Sequence, residues 1–193
     1  MRIAGGLSKG ISLKTFPGIK TRPAADSVRE ALFSCIGDRV AGARFVDLFA
    51  GSGAYGLEAW SRGASTGIFV EIDSNCVKNI RYNILSVAKS GQLDPSNMEV
   101  VRTDIFRWQN AEARSHSIVF ADPPYSQLPG MHARLFKLAE GLLMAGGLFI
   151  LEHPADMDMG QPGWGVLRQL GKRLGRGPAV SILEPDLVRK NRS

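Results

Sequence analysis

The spacing of apolar and polar positions along this chain changes period several times, and each change marks an element. Residues 1–15, MRIAGGLSKGISLKT, read as two short extended pieces around a Gly/Ser/Lys turn, which predicts a hairpin. FPGIKTRP reads as loop. From Asp26 the positions Val28, Ala31, Leu32 and Cys35/Ile36 recur at helical spacing, with Asp26 as the expected cap and Arg29 and Glu30 on the wet side. Short apolar runs then alternate with helical stretches. Strands are predicted at 44–49, 66–72, 98–104, 117–122 and 147–153. Helices are predicted over 54–62, 73–88 and 131–143, the second with Val77, Ile80, Ile84 and Val87 inward and Asp73 or Ser74 as cap. Repeated β-α-β units imply an α/β fold with a mostly parallel sheet covered by helices. After Pro154 the helical alternation stops. WGVLRQLGKRL and AVSILEP, split by GRGP, predict an antiparallel pair that closes the sheet.

Composition adds bounds rather than detail. A chain of 193 residues, 44% hydrophobic and 22% charged, suits one globular domain spanning 1–193, with 1–24 as its hairpin and loop extension. No apolar run approaches membrane-spanning length, and MRIAGGLSKG lacks a signal-peptide core, so a cytoplasmic protein is expected. Cys35 and Cys76 make neither a disulfide framework nor a zinc site, and three scattered histidines argue against a metal. Charge is more telling. Residues 1–29 hold six Lys/Arg and one acid, residues 168–193 seven and two, and the stretch between them eleven and fifteen. Basic ends around an acidic centre serve solubility or grip phosphates, and charge alone does not separate RNA from DNA.

Polar clusters gather where strands end, which is where such sheets bind ligands. DLFAGSGAYG, 47–56, contains Gly51, Gly53 and Gly56 in the spacing G-x-G-x-x-G, with Glu71 twenty residues after Gly51. The glycines let the backbone turn tightly and approach a ligand, and Glu71 can accept from both hydroxyls of a ribose. These features fit a dinucleotide and S-adenosylmethionine equally. Asp47 separates them, because a carboxylate there repels a pyrophosphate and suits a ligand carrying an ammonium and a sulfonium. Asp47 can instead serve loop amides. Phe49, Ala50, Ser52, Ile72 and Ile105 flank these positions and are assigned to the same cofactor site. Asp104 either accepts from an adenine amine or caps the turn that follows.

FADPPY, 120–125, follows the fourth strand on the same edge as the glycine loop. Pro123 and Pro124 hold the turn stiff, Asp122 presents a carboxylate, and Tyr125 offers a flat ring. Together they describe a seat for a planar base with an exocyclic NH₂. Hydrogen bonds from that amine to Asp122 and a nearby carbonyl draw its lone pair out of conjugation, so that it can attack a methyl group.

On these residues the chain resembles the class I S-adenosylmethionine-dependent methyltransferases that modify exocyclic amines, with their D-x-F-A-G-S-G loop and (Asp/Asn)-Pro-Pro-Tyr motif. More closely it resembles the bacterial RsmD family, which methylates N2 of one guanine in 16S ribosomal RNA. The resemblance includes MRIAGGLSKG, TRPAADSVREALF, VDLFAGSGAYGLEAWSRGA, FVEID, ADPPY and LEH. It implies a Rossmann-like sheet of seven strands, an N-terminal hairpin that helps hold RNA, and methyl transfer without metal. It implies Gly51, Gly53 and Glu71 at the cofactor and Asp122 to Tyr125 at the base. Lys9, Lys14 and Lys20, with Arg22 and Arg29 from the family's N-terminal block, are the expected RNA contacts. The expected partner is 16S rRNA within a small-subunit assembly particle, and the expected state is a monomer. A DNA adenine-N6 methyltransferase shares the motif logic, and a nucleotide-binding protein without transferase activity shares the glycine loop. His153 is expected to bond a loop rather than RNA, and His116 and His132 to lie at the surface.

Overall fold

The computed structural model describes residues 1–15, 23–109, 113–171 and 177–186. Seven strands run β1 Arg44–Leu48, β2 Thr66–Glu71, β3 Met98–Arg102, β4 His116–Ala121, β5 Leu143–Pro154, β6 Trp164–Gly171 and β7 Pro178–Pro185. Among the described residues four α-helices run α1 Pro23–Ile36, α2 Ala54–Ser61, α3 Ser74–Gly91 and α4 Leu128–Leu142. The strands lie side by side as β3-β2-β1-β4-β5-β7-β6. Pairings from β3 through β5 are parallel, while β7 lies antiparallel between β5 and β6.

Alternation along the strands explains the two-sided core. In β1, Phe45 faces one side and Val46 and Leu48 the other. The Phe45 side packs against α1, α2 and α3, with Phe45 and Phe69 edge to face at 5.5 Å. The Leu48 side packs against α4, where Phe136 meets Phe149 and Trp164 edge to face. The third glycine of the loop motif belongs to this packing. A Cβ on Gly56 would strike the rings of Phe45 and Phe69, so glycine lets α2 lie directly on the sheet.

Element boundaries shift where local chemistry overrides the period. α1 starts at Pro23, so Asp26 lies in its first turn and pairs with Arg29 at 3.0 Å instead of capping. Proline suits that start because the N–H it lacks has no helical partner there. Asp73 does cap α3, accepting from the amides of Asn75 and Cys76. β5 begins four residues earlier than its apolar pattern, at Leu143.

Residues 1–15 form a loop closed by one antiparallel bridge, Arg2 to Ser12. Ile3 and Leu13 are buried, but the segment is held mainly by polar groups. Ala4 N–H donates to Glu58 Oε2 at 2.7 Å, Arg29 Nη2 donates to the Arg2 carbonyl at 2.7 Å, and Ser8 N–H donates to Ser61 Oγ at 2.9 Å. Asn83, fully buried on α3, accepts from Lys14 N–H and donates both to the Lys14 carbonyl and to the Ser52 carbonyl in the glycine loop.

Candidate active site

The strand order reverses beside β1, whose following segment crosses to β2 while β4 lies on its other flank. The carboxyl ends of β1 and β4 therefore open a crevice at the switch point. The glycine loop leaves β1 and the Asp-Pro-Pro-Tyr loop leaves β4, so the two face each other across it.

On the β1 side the chain turns through left-handed conformations at Phe49, Gly51 and Gly53, with φ of 56°, 55° and 77°. Phe49 is the costly one of the three, because a side chain disfavours that region. The Gly53 amide donates to the Ala50 carbonyl at 2.6 Å, closing the turn, while Ala50 N–H returns to Val70 of β2. Ser52 is buried, with its hydroxyl against the Met1 sulfur. Glu71, at the end of β2, accepts from the Gly51 amide through Oε2 and from the Ile72 and Asp73 amides through Oε1, each at 2.8–2.9 Å. The carboxylate is thus aimed before any ligand arrives. Ile72 beside it is 62% exposed and offers an apolar face to a flat ring.

Asp47 takes the loop-serving role. It is buried and accepts from Gly56 N–H at 3.0 Å, which ties β1 to α2. Burial, together with the Glu71 charge, raises its pKa to about 7 although the Gly56 bond opposes the shift. Asp104 likewise takes the turn-capping role, Oδ1 accepting from Phe106 N–H at 2.7 Å, and Ile105 is buried beneath it.

On the β4 side Pro123 is buried and Pro124 exposed. The Pro124 carbonyl accepts from the Gln127 and Leu128 amides and so starts α4. Asp122 directly follows β4, with an exposed side chain on a backbone packed among other acids. That setting and the carboxylates of Glu152 and Asp47 hold its pKa well above the ordinary carboxylate range.

Glu152 is a residue that the sequence put at a strand end near the site without giving it a role. Its Oε2 accepts from Tyr55 Oη at 2.6 Å and its Oε1 from Tyr125 Oη at 2.9 Å. Tyr55 stacks on Phe120 at 5.6 Å, and burial and the Glu152 and Asp122 charges keep its hydroxyl protonated. The signal was present: an acid at the end of the strand paired with β4, in the LEH stretch.

The remaining expectations divide. Lys9 and Lys14 are exposed, with the Lys14 ammonium 3.6 Å from the Tyr82 ring centre. Lys20 and Arg22 lie outside the described residues. Arg29 is corrected: at 3% exposure, with its guanidinium turned onto Arg2, Asp26 and Glu58, it is an internal strut with no face for a phosphate. His116 is also corrected, being buried at the start of β4 against the Leu142 carbonyl. His153 is buried between the Pro154 carbonyl and Ser181 Oγ.

The sheet order and its switch-point crevice are those of the Rossmann-like, class I methyltransferase fold. The same fold carries S-adenosyl-L-homocysteine in solved structures 20% and 22% identical to this chain. More narrowly, the chain belongs to the family described as conserved hypothetical protein 95, whose model matches residues 1–175. It is similar to Bacillus subtilis YlbH, 34% identical over 163 residues, covering 82% of this chain and 85% of that one. It is also similar to the ribosomal RNA small subunit methyltransferase D of Escherichia coli K12, 36% identical over 125 residues. That alignment covers 65% of this chain and only 60% of the Escherichia coli protein. The solved structure of Escherichia coli yhhF superposes with a TM-score of 0.78 at 30% identity, covering 96% of this chain and 97% of that one.

Proposed function

We propose that this chain transfers a methyl group from S-adenosylmethionine to the exocyclic N2 of a guanine in small-subunit 16S rRNA, acting as one domain and as a monomer on an assembly particle. The observation that carries the reading is the Asp-Pro-Pro-Tyr loop set across the switch-point crevice from a glycine loop backed by Glu71.

The residues present fit the cofactor. Glu71 is oriented by three amides and keeps acceptor capacity for ribose hydroxyls, Ile72 exposes an apolar face for an adenine, and the acidic wall suits a cationic ligand. Asp104 lies within the same wall. When bound, S-adenosylmethionine supplies an electrophilic methyl carbon on a sulfonium leaving group. Asp122 accepts a hydrogen bond from N2 and so localises its lone pair, and a carbonyl of Asp122 or Pro123 takes the second N–H. The Tyr125 ring supports the base from one side. After transfer, N2 gives up one proton, which passes by way of Asp122 to solvent at the crevice mouth. Catalysis here is positioning and polarisation rather than strong-base chemistry. Lys9 and Lys14 add phosphate contacts, and Lys20 and Arg22 are assigned the same role.

Relatives bearing a small-subunit rRNA methyltransferase name favour this reading over DNA adenine methylation. The test has two parts. Mass mapping of small-subunit rRNA from cells lacking the protein should show one missing N2-methylguanine. The purified protein, offered small-subunit particles, naked 16S rRNA and duplex DNA side by side, should methylate a ribosomal substrate. Efficient adenine methylation of the DNA with none on either ribosomal substrate overturns it.

A further inference from the structure

We infer that Glu152 selects the base: with Asp122 it forms an acceptor pair that reads the adjacent N1–H and N2–H₂ donors of guanine. The inference rests on the guanine reading above and deepens it.

Three observations converge on Glu152. The first is placement. Ala121 and Leu151 are register partners on adjacent parallel strands, so Asp122, just past the end of β4, and Glu152, within β5, stand side by side. The second is its partners. Its hydrogen bonds come from two tyrosine hydroxyls, and no Lys or Arg among the described residues pairs with it. A half-buried carboxylate held by two tyrosine hydroxyls, beside Asp122 and with no Lys or Arg partner among the described residues, is placed to accept from a ligand. The third is rigidity. Tyr55 is fixed by stacking on Phe120, Tyr125 belongs to the loop that carries Asp122, and β5 is flanked by β4 and β7. Two hydroxyls use about two of the four lone-pair sites on the carboxylate, and the others stay available to a ligand.

The chemistry of the two purines then decides. Guanine presents N1–H and the N2 amine next to each other on its Watson–Crick edge, two donors in a row. Adenine presents an amine beside a bare N1 lone pair. Two neighbouring carboxylates satisfy the first pattern and repel the second. Selection thus comes as much from the penalty on the wrong base as from bonds to the right one. Asp122 takes the reacting amine and Glu152 the N1–H next to it.

2-Aminopurine separates the two roles, because it keeps the N2 amine and replaces N1–H with a lone pair. The methylated guanine, once located by mass mapping, is replaced by 2-aminopurine in rRNA assembled by ligation, and both substrates are given to the wild-type protein and to Glu152→Gln. Wild type should methylate guanine over 2-aminopurine by on the order of a hundredfold or more. Glu152→Gln should cut that ratio by at least about tenfold, because its amide can donate to the bare N1. Binding of S-adenosyl-L-homocysteine, read by calorimetry, should not move, which separates lost selectivity from lost folding. Tyr55→Phe, which keeps the ring and its stack but frees one oxygen of Glu152, should shift the ratio in the same direction by less. An unchanged ratio in Glu152→Gln, with guanine N2 still the wild-type product, overturns the inference alone. Wild-type methylation of adenine N6 overturns it together with the reading on which it rests.

Discussion

Asp47 trades stability for charge. Its folded-state pKa is raised from 3.8 to about 7, so the folded chain binds this proton more tightly than the unfolded chain does. Its stabilising contribution is full below the ordinary carboxylate range and is lost as pH rises through about 7, with a slope of up to about 1.4 kcal/mol per pH unit. Asp47→Asn keeps an oxygen for Gly56 N–H and removes the titration. Denaturant midpoints of the variant should therefore vary less than those of wild type between about pH 4 and 7. Asp122 shifts the same way, but its effect belongs to the reaction. kcat/KM should rise with pH along a limb set well above the usual carboxylate range, and that limb should vanish in Asp122→Asn. Asp122→Ala should lower the single-turnover methylation rate by roughly a hundredfold or more while cofactor affinity holds. At this scale the sequence exposed the motif residues through their rare combination. It assigned Asp47 and Asp104 to the cofactor, whereas the structure shows each accepting from a loop amide, because an acid beside a loop can serve amides as well as ligands. It put Glu152 at a strand end near the site but gave it no role, because its partners Tyr55 and Tyr125 come from segments 97 and 27 residues away.

The elements were legible wherever apolar period dominates, as in β1, β2, α3 and the closing antiparallel pair. They were less so where polar contacts govern. The attachment of residues 1–15 depends on Glu58, Ser61 and Asn83, buried polar residues that read as ordinary helix surface or capping types. Arg29 misled for the same reason: a basic residue in a basic segment looks solvent-facing until its burial is seen. Glu58 concentrates this attachment. It is fully buried, accepts from Ala4 N–H and Arg62 Nε at 2.7 Å, and lies 3.8 Å from Arg29 Nε. Glu58→Ala strands an amide and two guanidinium groups, and should destabilise by about 2–4 kcal/mol in urea unfolding. Hydrogen exchange should show residues 1–15 opening well before the sheet does.

For the whole molecule, charge is arranged by chain position, with basic termini around an acidic catalytic middle. Neutralising Lys9 and Lys14 to Gln leaves the backbone bonds of Lys14 to Asn83 intact. RNA affinity should fall, and the slope of log affinity against log salt should flatten by roughly 0.7 per lost phosphate contact, with cofactor affinity unchanged. Filter binding across a salt series reads both. The order of the strands also bears on how the protein is made. Among the described strands β7 comes last in the chain, yet it lies between β5 and β6. Until it arrives, the outer edge of β5 is bare and β6 has no neighbour. The glycine and Asp-Pro-Pro-Tyr loops can take shape around β1 and β4 while translation continues, but Glu152 stands on a strand whose partner, Val180 opposite it, is not yet in place. The wall of the crevice that carries Glu152 is therefore completed only when β7 is in place. If Glu152 reads the base as inferred above, a nascent chain should be unable to discriminate bases until the closing strand is in place.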